Sequence, residues 1–583
     1  MNQRRIMAPA LLCVLGLLTI ATVANGQDEK LWKAKSPFLK GVQMQAHLEP
    51  AIPHPEREKE ANAKLKALKA KAGQKPNILV IYVDDMGWGD PGVYGGGAAI
   101  GAPTPNIDSL AHDGLMMTSS YSQPACTPTR AAWQTGRLPQ RSGLVRPTAA
   151  GEESGGMGAE VTIATLLSDA GYMTGMIGKW HLGEAEGQWP TDVGYDEYYG
   201  NLGVNTIYHD WRDPNFSPEV VNKPERVEAM KKVEFIRTTV KSKKGGKKEY
   251  GDEITLETEP FLEEKYLAWS KDFMKRATKA NKPFMLYHAM NRVHVKNYPN
   301  PKFVGKSPAG TPYKDSMLEV DYIVGELVKT VKALGQEENT LIVFTSDNGA
   351  EEDAHVGGLF TSDAGHQPWR GAKGTTWEGG VRVSYLATWP GMIKAGRVSD
   401  GLFDHMDLYN TLARLGGVEN KIPSDRYIDG IDQTSWLLTD QDDGQESNRE
   451  AVFYWSGQDF YGVRWKEFKR MERVMTIGMN PGPSTYGGLF NATKAETNSD
   501  LGWFFNLYSD PKERAPTART WVVAPMIELS MRNKLSFLHY PQAPRGVKLN
   551  NYLLGGPAGG TLPKAVIEKM RTMAEAAANA QND

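Results

Sequence analysis

Short apolar runs alternate with longer amphipathic segments along most of the chain. Four runs of strand length are mainly apolar and lead into polar side chains, and they span residues 77–83, 173–178, 284–288 and 340–345. Continuous apolar runs are typical of parallel strands that are covered on both faces. Segment 316–334 instead repeats apolar residues every three or four positions, which predicts a long helix with one buried face. This alternation predicts an α/β fold with a mostly parallel central sheet flanked by helices.

The pattern changes towards the C-terminus. Residues 441–449 are acidic and polar, which is typical of a linker, and short aromatic-rich runs follow them. We therefore expect a large domain over 76–440 and a smaller C-terminal α+β subdomain over 450–557, with an antiparallel sheet and one helix. Residues 558–583 are expected to form a helical tail that frays at its end.

The first 26 residues have the composition of a secretory signal peptide. Two arginines precede a mostly apolar run at 8–23, and small residues follow at 24–26. We expect an exported protein, periplasmic or secreted; the alternative is an uncleaved N-terminal anchor. No later apolar run is long enough to cross a bilayer, so we expect no stable membrane span after signal cleavage. Residues 27–75 form a charged N-terminal extension, predicted to contain an exposed helix with a thin apolar stripe.

Charge and cysteine content exclude two classes of protein. The 583 residues carry a formal net charge of −2, so no overall field favours a nucleic-acid partner. The two cysteines are Cys13 and Cys126, and Cys13 lies in the predicted leader, so a disulfide framework is excluded. Cys126 is then either a buried apolar filler or a reactive centre.

The stretch that follows Cys126 predicts a helix that begins beside it. Thr127 is a suitable N-cap, Pro128 suits the first helical position, and Gly136 is a typical end. Cys126 would then lie just before a helix N-terminus, where free N–H groups favour an anion. Arg130 lies about one turn further on, so its guanidinium is expected to turn back towards Cys126.

Polar residues follow three of the apolar runs in pairs. Asp84 and Asp85 follow the first run, and Asp347 and Asn348 follow the last. Adjacent buried acids are costly unless something neutralises them, and oxygen ligands of this kind suit Ca²⁺ or Mg²⁺. An acidic turn without a metal is the alternative in each case. After the run at 173–178, Lys179 and His181 are two residues apart, so they face the same side of an extended segment.

Four motifs resemble those of the type I, formylglycine-dependent sulfatases. The motif around Cys126 matches the C-x-P-x-R signature of that family, and the chain also carries G-K-W-H-L-G at 178–183, S-D-N-G at 346–349 and R-G-x-K-x-x-x-x-E-G-G-x-R at 370–382. The resemblance covers about 76–514. One motif departs from the family: where the family has P-H-x-P, this sequence lacks both prolines. His294 is its positional match, and His288 is the fallback, otherwise an ordinary core histidine.

The resemblance implies an arylsulfatase-like enzyme of the alkaline phosphatase superfamily, with 76–440 as its catalytic domain. In such enzymes the cysteine is oxidised to formylglycine, whose hydrate carries two hydroxyls on one carbon. One Ca²⁺ per chain, with Mg²⁺ as the alternative, is then expected to be bound by Asp84, Asp85, Asp347, Asn348 and an oxygen of the modified Cys126.

The remaining motif residues are implied to handle the sulfate group and its protons. Lys179, Lys373 and His294 would bind the sulfate oxygens, and one of them would protonate the leaving oxygen. Arg130 would orient the hydrate and balance the charge of the metal site. His181 would accept the proton of the second hydroxyl as sulfate is released.

The implied reaction is hydrolysis of sulfate monoesters of aryl or carbohydrate compounds. The expected partners are a sulfated small molecule or glycan and a maturation enzyme that generates formylglycine, with no nucleic acid. Two alternatives stay open: a phosphatase or phosphonate monoester hydrolase on the same fold, and a non-catalytic sulfoglycan-binding protein with unmodified Cys126. Region 198–260 is expected to be irregular, and its lysine-rich run at 241–248 is a flexible insertion or a site that holds a sulfated polymer.

Overall fold

The structure is a computed structural model that describes most of the chain between residues 31 and 542. The described ranges are 31–148, 156–204, 210–214, 217–233, 237–351, 368–441, 446–476, 493–496, 501–517 and 519–542. The predicted signal peptide and the predicted tail at 558–583 lie outside these ranges. No helix among the described residues combines the length and apolar character needed to cross a membrane.

A large sheet forms the centre of the molecule. Its strand order is β10-β2-β9-β8-β1-β7-β3-β4-β5-β6, with β11 paired to β2. The strands are β1 (Asn77–Val83), β2 (Leu115–Tyr121), β3 (Met173–Lys179), β4 (Glu197–Asn201), β5 (Arg237–Lys243), β6 (Lys248–Ile254), β7 (Phe284–Ala289), β8 (Thr340–Ser346), β9 (Arg382–Thr388), β10 (Arg397–Ser399) and β11 (Phe403–Asp404).

The central strands β8, β1, β7, β3 and β4 are all parallel to one another. Only the pairings made by β9 and β5 are antiparallel among the described strands of this sheet. The four strands expected from continuous apolar runs are therefore present, and the predicted mostly parallel α/β sheet is confirmed. All seven residues of β1 are buried, because the strand is covered on both faces.

Helices cover both faces of the sheet. Alternate residues of β1 enter two separate apolar clusters, one of which includes side chains of α1, α3, α5, α11 and α12, and the other side chains of α2, α8 and α9. The α-helices are α1 (Pro55–Ala72), α2 (Pro105–His112), α3 (Cys126–Thr135), α4 (Pro139–Ser142), α5 (Ile163–Asp169), α6 (Pro218–Val221), α7 (Pro224–Val233), α8 (Leu262–Lys279), α9 (Pro312–Ala333), α10 (Glu378–Val381), α11 (Asp407–Leu415), α12 (Thr434–Leu438) and α13 (Thr520–His539).

The C-terminal part has its own antiparallel sheet, as predicted. Its order is β12-β13-β14-β17, a two-stranded ribbon of β15 and β16 accompanies it, and α13 contributes to its core. The strands are β12 (Ala451–Ser456), β13 (Asp459–Trp465), β14 (Phe468–Met471), β15 (Arg473–Thr476), β16 (Thr493–Glu496) and β17 (Trp503–Asn506).

The N-terminal extension packs against the rest of the molecule. Helix α1 buries Ala61 and Leu68, the thin apolar side that the sequence predicts. Lys64 Nζ donates to the carbonyl of Leu438 at 2.7 Å, at the end of α12. Elsewhere in the extension, Glu49 forms an ion pair with Arg532 of α13.

The expectation of an irregular region at 198–260 is wrong. This region contains β4, β5 and β6, and Glu197 at the start of β4 lies opposite Lys243 at the end of β5. The turn that carries the lysine-rich run is therefore at the end of the sheet opposite to Lys179, the C-terminal residue of β3. This position gives no support to the idea that these lysines hold a substrate at the strand ends near Cys126.

Gly178 is required where β3 passes β7. Its φ is +88°, and a Cβ at this position would lie 1.8 Å from the carbonyl oxygen of Ala289. Gly171 is a matched control, since its φ is +91° but a Cβ there would have no heavy atom within 4 Å.

We expect Gly178→Ala to destabilise the protein far more than Gly171→Ala. Gly171→Ala pays only for the left-handed backbone, about 1 kcal/mol, whereas Gly178→Ala must also separate two paired strands directly before Lys179. Urea unfolding of the two variants and the wild type measures the difference. Equal unfolding midpoints for the two variants would show that the contact with Ala289 relaxes without cost.

Candidate active site

The C-terminal ends of β1 and β8 place four polar side chains together. Val83 pairs with Ser346, so Asp84 and Asp85 lie beside Asp347 and Asn348; all four side chains are buried. The backbone N–H of Asp85 donates to Asp347 Oδ1 at 3.1 Å, and Asn348 Nδ2 donates to Asp85 Oδ1 at 2.7 Å. The two acidic segments of the sequence therefore form one cluster.

Cys126 lies at the first turn of α3 and faces this cluster. Its Sγ is 3.8 Å from Asp85 Oδ1 and 3.6 Å from Lys179 Nζ. The thiol is buried, and burial raises its pKa well above the usual value. A thiol that stays protonated is a poor nucleophile, so unmodified Cys126 is not suited to attack an ester.

The predicted start of α3 is wrong by two residues. The helix begins at Cys126, with Ala125 as its N-cap, and not after a cap at Thr127. The hydroxyl of Thr127 instead donates to the carbonyl of His181 at 2.7 Å, which ties the helix to the segment after β3. Cys126 is thus part of the first helical turn itself.

Three buried cations neutralise the buried carboxylates. Arg130 donates from Nη2 to Asp347 Oδ2 at 2.7 Å and also contacts Asp84 Oδ1 at 3.3 Å. Its guanidinium therefore bonds to two acids whose ligand oxygens lie within 4.8 Å of Cys126 Sγ. The other two cations are paired in the same way, with Lys179 Nζ 2.5 Å from Asp84 Oδ2 and Lys373 Nζ 2.7 Å from Asp85 Oδ2.

The pKa values follow from burial and from these pairs. Burial opposes the charge of Asp85, but Lys373 and His294 outweigh it and lower the pKa of this carboxyl. Burial and the nearby Asp84 raise the pKa of Asp347 to about 6. The pKa of Lys373 is raised well above its usual value despite burial, because Asp85 stabilises its charge.

His181 is positioned as a neutral base. Its Nε2 is 3.0 Å from the carbonyl oxygen of Thr148, which can only accept, so Nε2 carries the proton and Nδ1 has a free lone pair. Nδ1 is buried without a hydrogen-bond partner among the described residues. Burial and the neighbouring Lys179 lower the pKa of His181 well below its usual value.

The two candidate histidines near β7 differ in their surroundings. His294 Nε2 lies 3.6 Å from Asp85 Oδ2, and the backbone N–H of Val293 donates to the carbonyl of Asp84 at 2.7 Å. His288 instead faces α8, where its Nδ1 is 2.8 Å from Ser270 Oγ. The structure therefore brings His294, and not the fallback His288, to the acidic cluster.

Glu351 is a residue at the site that the motifs do not identify. Its Oε2 is 3.1 Å from Lys373 Nζ and 3.9 Å from His294 Nε2. Burial raises the pKa of its carboxyl to about 8. Its position directly after S-D-N-G-A is the one signal in the sequence that links it to the metal-type residues.

The side chains present fit a divalent cation. Ligand atoms of Asp84, Asp85, Cys126 and Asp347 all lie within 4.8 Å of one another. Asn348 Oδ1 is also buried and has no hydrogen-bond partner among the described residues, so it is available as a metal ligand. Carboxylate and amide oxygens are ligands of hard cations.

Comparison with known proteins identifies the family. The sulfatase family model matches residues 76–418. The chain belongs to the sulfatase family. It is 34% identical over 487 residues to N-acetylgalactosamine-6-sulfatase of Canis lupus familiaris, and the alignment covers 77% of this chain and 82% of that protein. It is 33% identical over 457 residues to arylsulfatase A of Homo sapiens, and the alignment covers 75% of this chain and 82% of that protein.

Solved sulfatase structures share the fold. The PsFucS1 sulfatase from Pseudoalteromonas sp. is 44% identical, with a TM-score of 0.81, 87% of this chain covered and 100% of that chain. Ps i-CgsB, solved in complex with k-i-k-neocarrahexaose, is 25% identical, with a TM-score of 0.63, 83% of this chain covered and 98% of that chain. The type I sulfatase resemblance is confirmed, and this sulfatase is a sulfuric ester hydrolase. The relatives favour that activity over the phosphatase and binding-protein alternatives.

His288 provides a test of its assignment to the core. Burial lowers its pKa to about 3, whereas an unfolded histidine titrates near 6.5. Between these values the unfolded chain binds a proton that the folded chain does not, so stability is lost as the pH falls below about 6.5. We expect the free energy of unfolding of wild type to fall, relative to His288→Gln, by about 1.4 kcal/mol for each pH unit between about 6 and 4.

Chemical denaturation of both proteins across this pH range measures the difference, and the comparison cancels the titration of all other groups. His288→Gln should also keep its sulfatase activity at pH 7.5. Parallel pH profiles would show that burial does not lower the pKa of His288, and a folded but inactive variant would place His288 in the catalytic machinery.

Proposed function

We propose that this sulfatase hydrolyses sulfate monoesters of carbohydrates with residue 126 as its nucleophile, after conversion of Cys126 to formylglycine. The observation that carries the proposal is the position of Cys126 Sγ, between the carboxylate of Asp85 and the ammonium of Lys179. A nucleophile placed there contacts the candidate metal ligands on one side and a cation for the sulfate group on the other.

The proposed cation is Ca²⁺, with Mg²⁺ as the alternative, because every candidate ligand other than residue 126 offers oxygen. A divalent cation in this position lowers the pKa of a hydroxyl beside it and offsets the carboxylate charge. The proposed ligands are Asp84, Asp85, Asp347, Asn348 and an oxygen of the modified Cys126.

The cations of the site have separate proposed roles. Lys179, Lys373 and His294 bind the sulfate oxygens, and one of these three protonates the leaving oxygen. Arg130 is wholly buried and bonds to Asp347 and Asp84, so it balances their charge and orients the hydrate. The low exposure of all these groups strengthens their interaction with an anion.

His181 is the proposed general base. The hydrate of formylglycine would supply two hydroxyls where the thiol has none. His181 Nδ1 would take the proton of the second hydroxyl as the bond from carbon to the sulfate oxygen breaks, which releases sulfate and restores the aldehyde. The contact from its Nε2 to the carbonyl of Thr148 keeps Nδ1 available for that proton. Neutral His181 is the form that the reaction needs, and its lowered pKa keeps it in this form at pH 7.

Relatives support a carbohydrate as the organic part of the substrate. One is an N-acetylgalactosamine-6-sulfatase, and the solved Ps i-CgsB complex contains k-i-k-neocarrahexaose. The leader at 1–26 supports export, to the periplasm or outside the cell. Formation of formylglycine further requires a maturation enzyme, which we propose as a transient partner.

Substrate preference and the chemical state of residue 126 test the proposal together. We expect purified protein to hydrolyse members of a panel of sulfated sugars, and to prefer an aryl sulfate to the matched aryl phosphate. Mass spectrometry of the peptide around residue 126 should show the loss of mass that accompanies conversion of a thiol to an aldehyde. Cys126→Ala should lower kcat at least about 10³-fold. Preference for the phosphate ester, or full activity with an intact thiol, would contradict the proposal.

Metal removal tests the cation site. We expect dialysis against a chelator to abolish activity and lower the thermal midpoint, since a cation that binds only the folded state stabilises it. Ca²⁺ should restore both properties at lower concentration than Mg²⁺. Asn348→Ala should need a Ca²⁺ concentration at least roughly tenfold higher to restore both properties, as expected when one contact worth about 1.4 kcal/mol is lost. Asn420→Ala, on the surface, is the matched control.

Activity and thermal midpoint that are unaffected by chelation, in protein whose metal content is zero by elemental analysis, would remove the cation from the mechanism.

A further inference from the structure

A basic cleft lies where the segment before Lys373 meets the C-terminal part of the chain. It has a volume of about 530 Å³ and is lined by Trp369, Arg370, Gly371, Lys512 and Arg514. Among the described residues that line it, three are cations and none is an acid. The mechanism proposed above uses none of them.

The acidic residues next to this cleft are engaged by other groups. Glu513 has its Oε2 2.9 Å from the backbone N–H of Glu378, and its Oε1 2.8 Å from Lys469 Nζ, both buried. Asp510 Oδ2 accepts the backbone N–H of Arg514 at 2.8 Å. These carboxylates therefore make structural contacts beside the cleft.

Two cations of the cleft, Lys512 and Arg370, lie in partly buried surroundings. Burial and the nearby Arg514 lower the pKa of Lys512. Burial likewise lowers the pKa of Arg370, and the attraction of Glu513 and Asp510 offsets this only in part. An anion placed between these side chains would offset the cost of burying their charges.

Three contacts hold Arg370 and Lys512 in place before any ligand binds. The guanidinium of Arg370 stacks on Trp377 at 3.8 Å from the ring centroid and donates to the carbonyl of Glu513 at 2.8 Å. Lys512 Nζ donates to the carbonyl of Trp369 at 3.3 Å. Side chains that are already ordered lose less entropy when they bind a ligand.

The cleft is close to the site of sulfate hydrolysis. Arg370 is three residues before Lys373, so their Cα atoms are at most about 11 Å apart. From the other side, Trp88 is three residues after Asp85, and its ring contacts that of Trp369 with centroids 5.3 Å apart. A second substituent of a bound sugar, or of its neighbour, can therefore reach these cations.

We infer that this cleft, formed by Trp369, Arg370, Lys512 and Arg514, is a subsite for a second anionic group of the substrate. The ligand is a sulfate or carboxylate on the sugar that carries the scissile ester or on the next sugar. The inference rests on the proposed function and extends it: the preferred substrate is a polyanionic carbohydrate, and an ester with one negative group uses the catalytic site alone.

Lys512→Gln, Arg514→Gln and the double variant test the subsite. The substrates are one sugar in three forms, with a single sulfate, with a second sulfate and with a carboxylate, together with an aryl sulfate. We expect wild type to have at least a tenfold higher kcat/KM for one of the dianionic sugars than for the monosulfate. Each single variant should lose roughly three- to tenfold through KM, as for a partly exposed charge contact. Hydrolysis of the aryl sulfate should not change.

Lys66→Gln is the matched control, because Lys66 is an exposed lysine of α1 and its removal changes net charge equally. A loss confined to the second-sulfate substrate identifies sulfate as the ligand, and a loss confined to the carboxylate substrate identifies carboxylate. Equal losses for the monosulfate and the dianionic sugars, or no preference in wild type, would overturn the subsite.

Binding separates failure of the subsite from failure of the proposed function. In Cys126→Ala protein, calorimetry measures the affinity for the disulfated sugar without turnover. We expect Arg514→Gln to weaken that affinity and added NaCl to diminish the effect. Unchanged affinity in the variant overturns the subsite even where sulfate hydrolysis is intact. If the wild type hydrolyses no sulfate ester but binding of the disulfated sugar stays sensitive to Arg514, the proposed function alone is overturned.

Discussion

The active site depends on the mutual neutralisation of buried charges at one edge of the sheet. A buried ion costs several kcal/mol unless an opposite charge and hydrogen bonds compensate it. Each carboxylate of the site has a cation within hydrogen-bond distance, and removing one member would leave its partners buried with less compensation. The groups that satisfy one another in this way are Asp84, Asp85, Asp347, Arg130, Lys179 and Lys373.

Sheet topology makes this neutralisation possible. Parallel strands end at one edge, so β1 and β8 present their acids side by side, and β3 brings Lys179 and His181 from two strands away. Helix α3 then enters over the same edge with Cys126 in its first turn and Arg130 one turn later. The strand ends and helix α3 thus position the acids, the cations and the nucleophile together. This is the general reason that α/β sheets bind ligands at this edge.

Two residues of the active site have a strained backbone conformation. Asp85 and His181 are not glycines, yet they have φ values of 61° and 58°. Left-handed backbone at such residues persists only where the surrounding contacts enforce it, and it is common at functional sites. At His181 the contacts are those from Thr127 to its carbonyl and from its ring to Thr148, so strain and side-chain orientation are set by the same neighbours.

Local patterns in the sequence determined a large part of this protein. Buried parallel strands show as continuous apolar runs, which is why β1, β7 and β8 are found where expected. The hairpin of β5 and β6 was missed because it is at the sheet edge, where Lys, Glu and Gly face solvent and no apolar run is needed. The motifs also named the family and the residue types of its site, since those depend on the order of residues alone.

Tertiary structure alone decided which of these residues meet. The sequence left open which acids Arg130 bonds to, and it allowed His288 to replace His294 and Glu351 to be an ordinary loop residue; packing set each of these contacts. The cleft of Arg370, Lys512 and Arg514 joins segments that are far apart in the chain and share no motif. Periodicity records whether a residue is buried, but the partner of a buried charge depends on how distant strands and helices pack, and spacing along the chain does not contain that information.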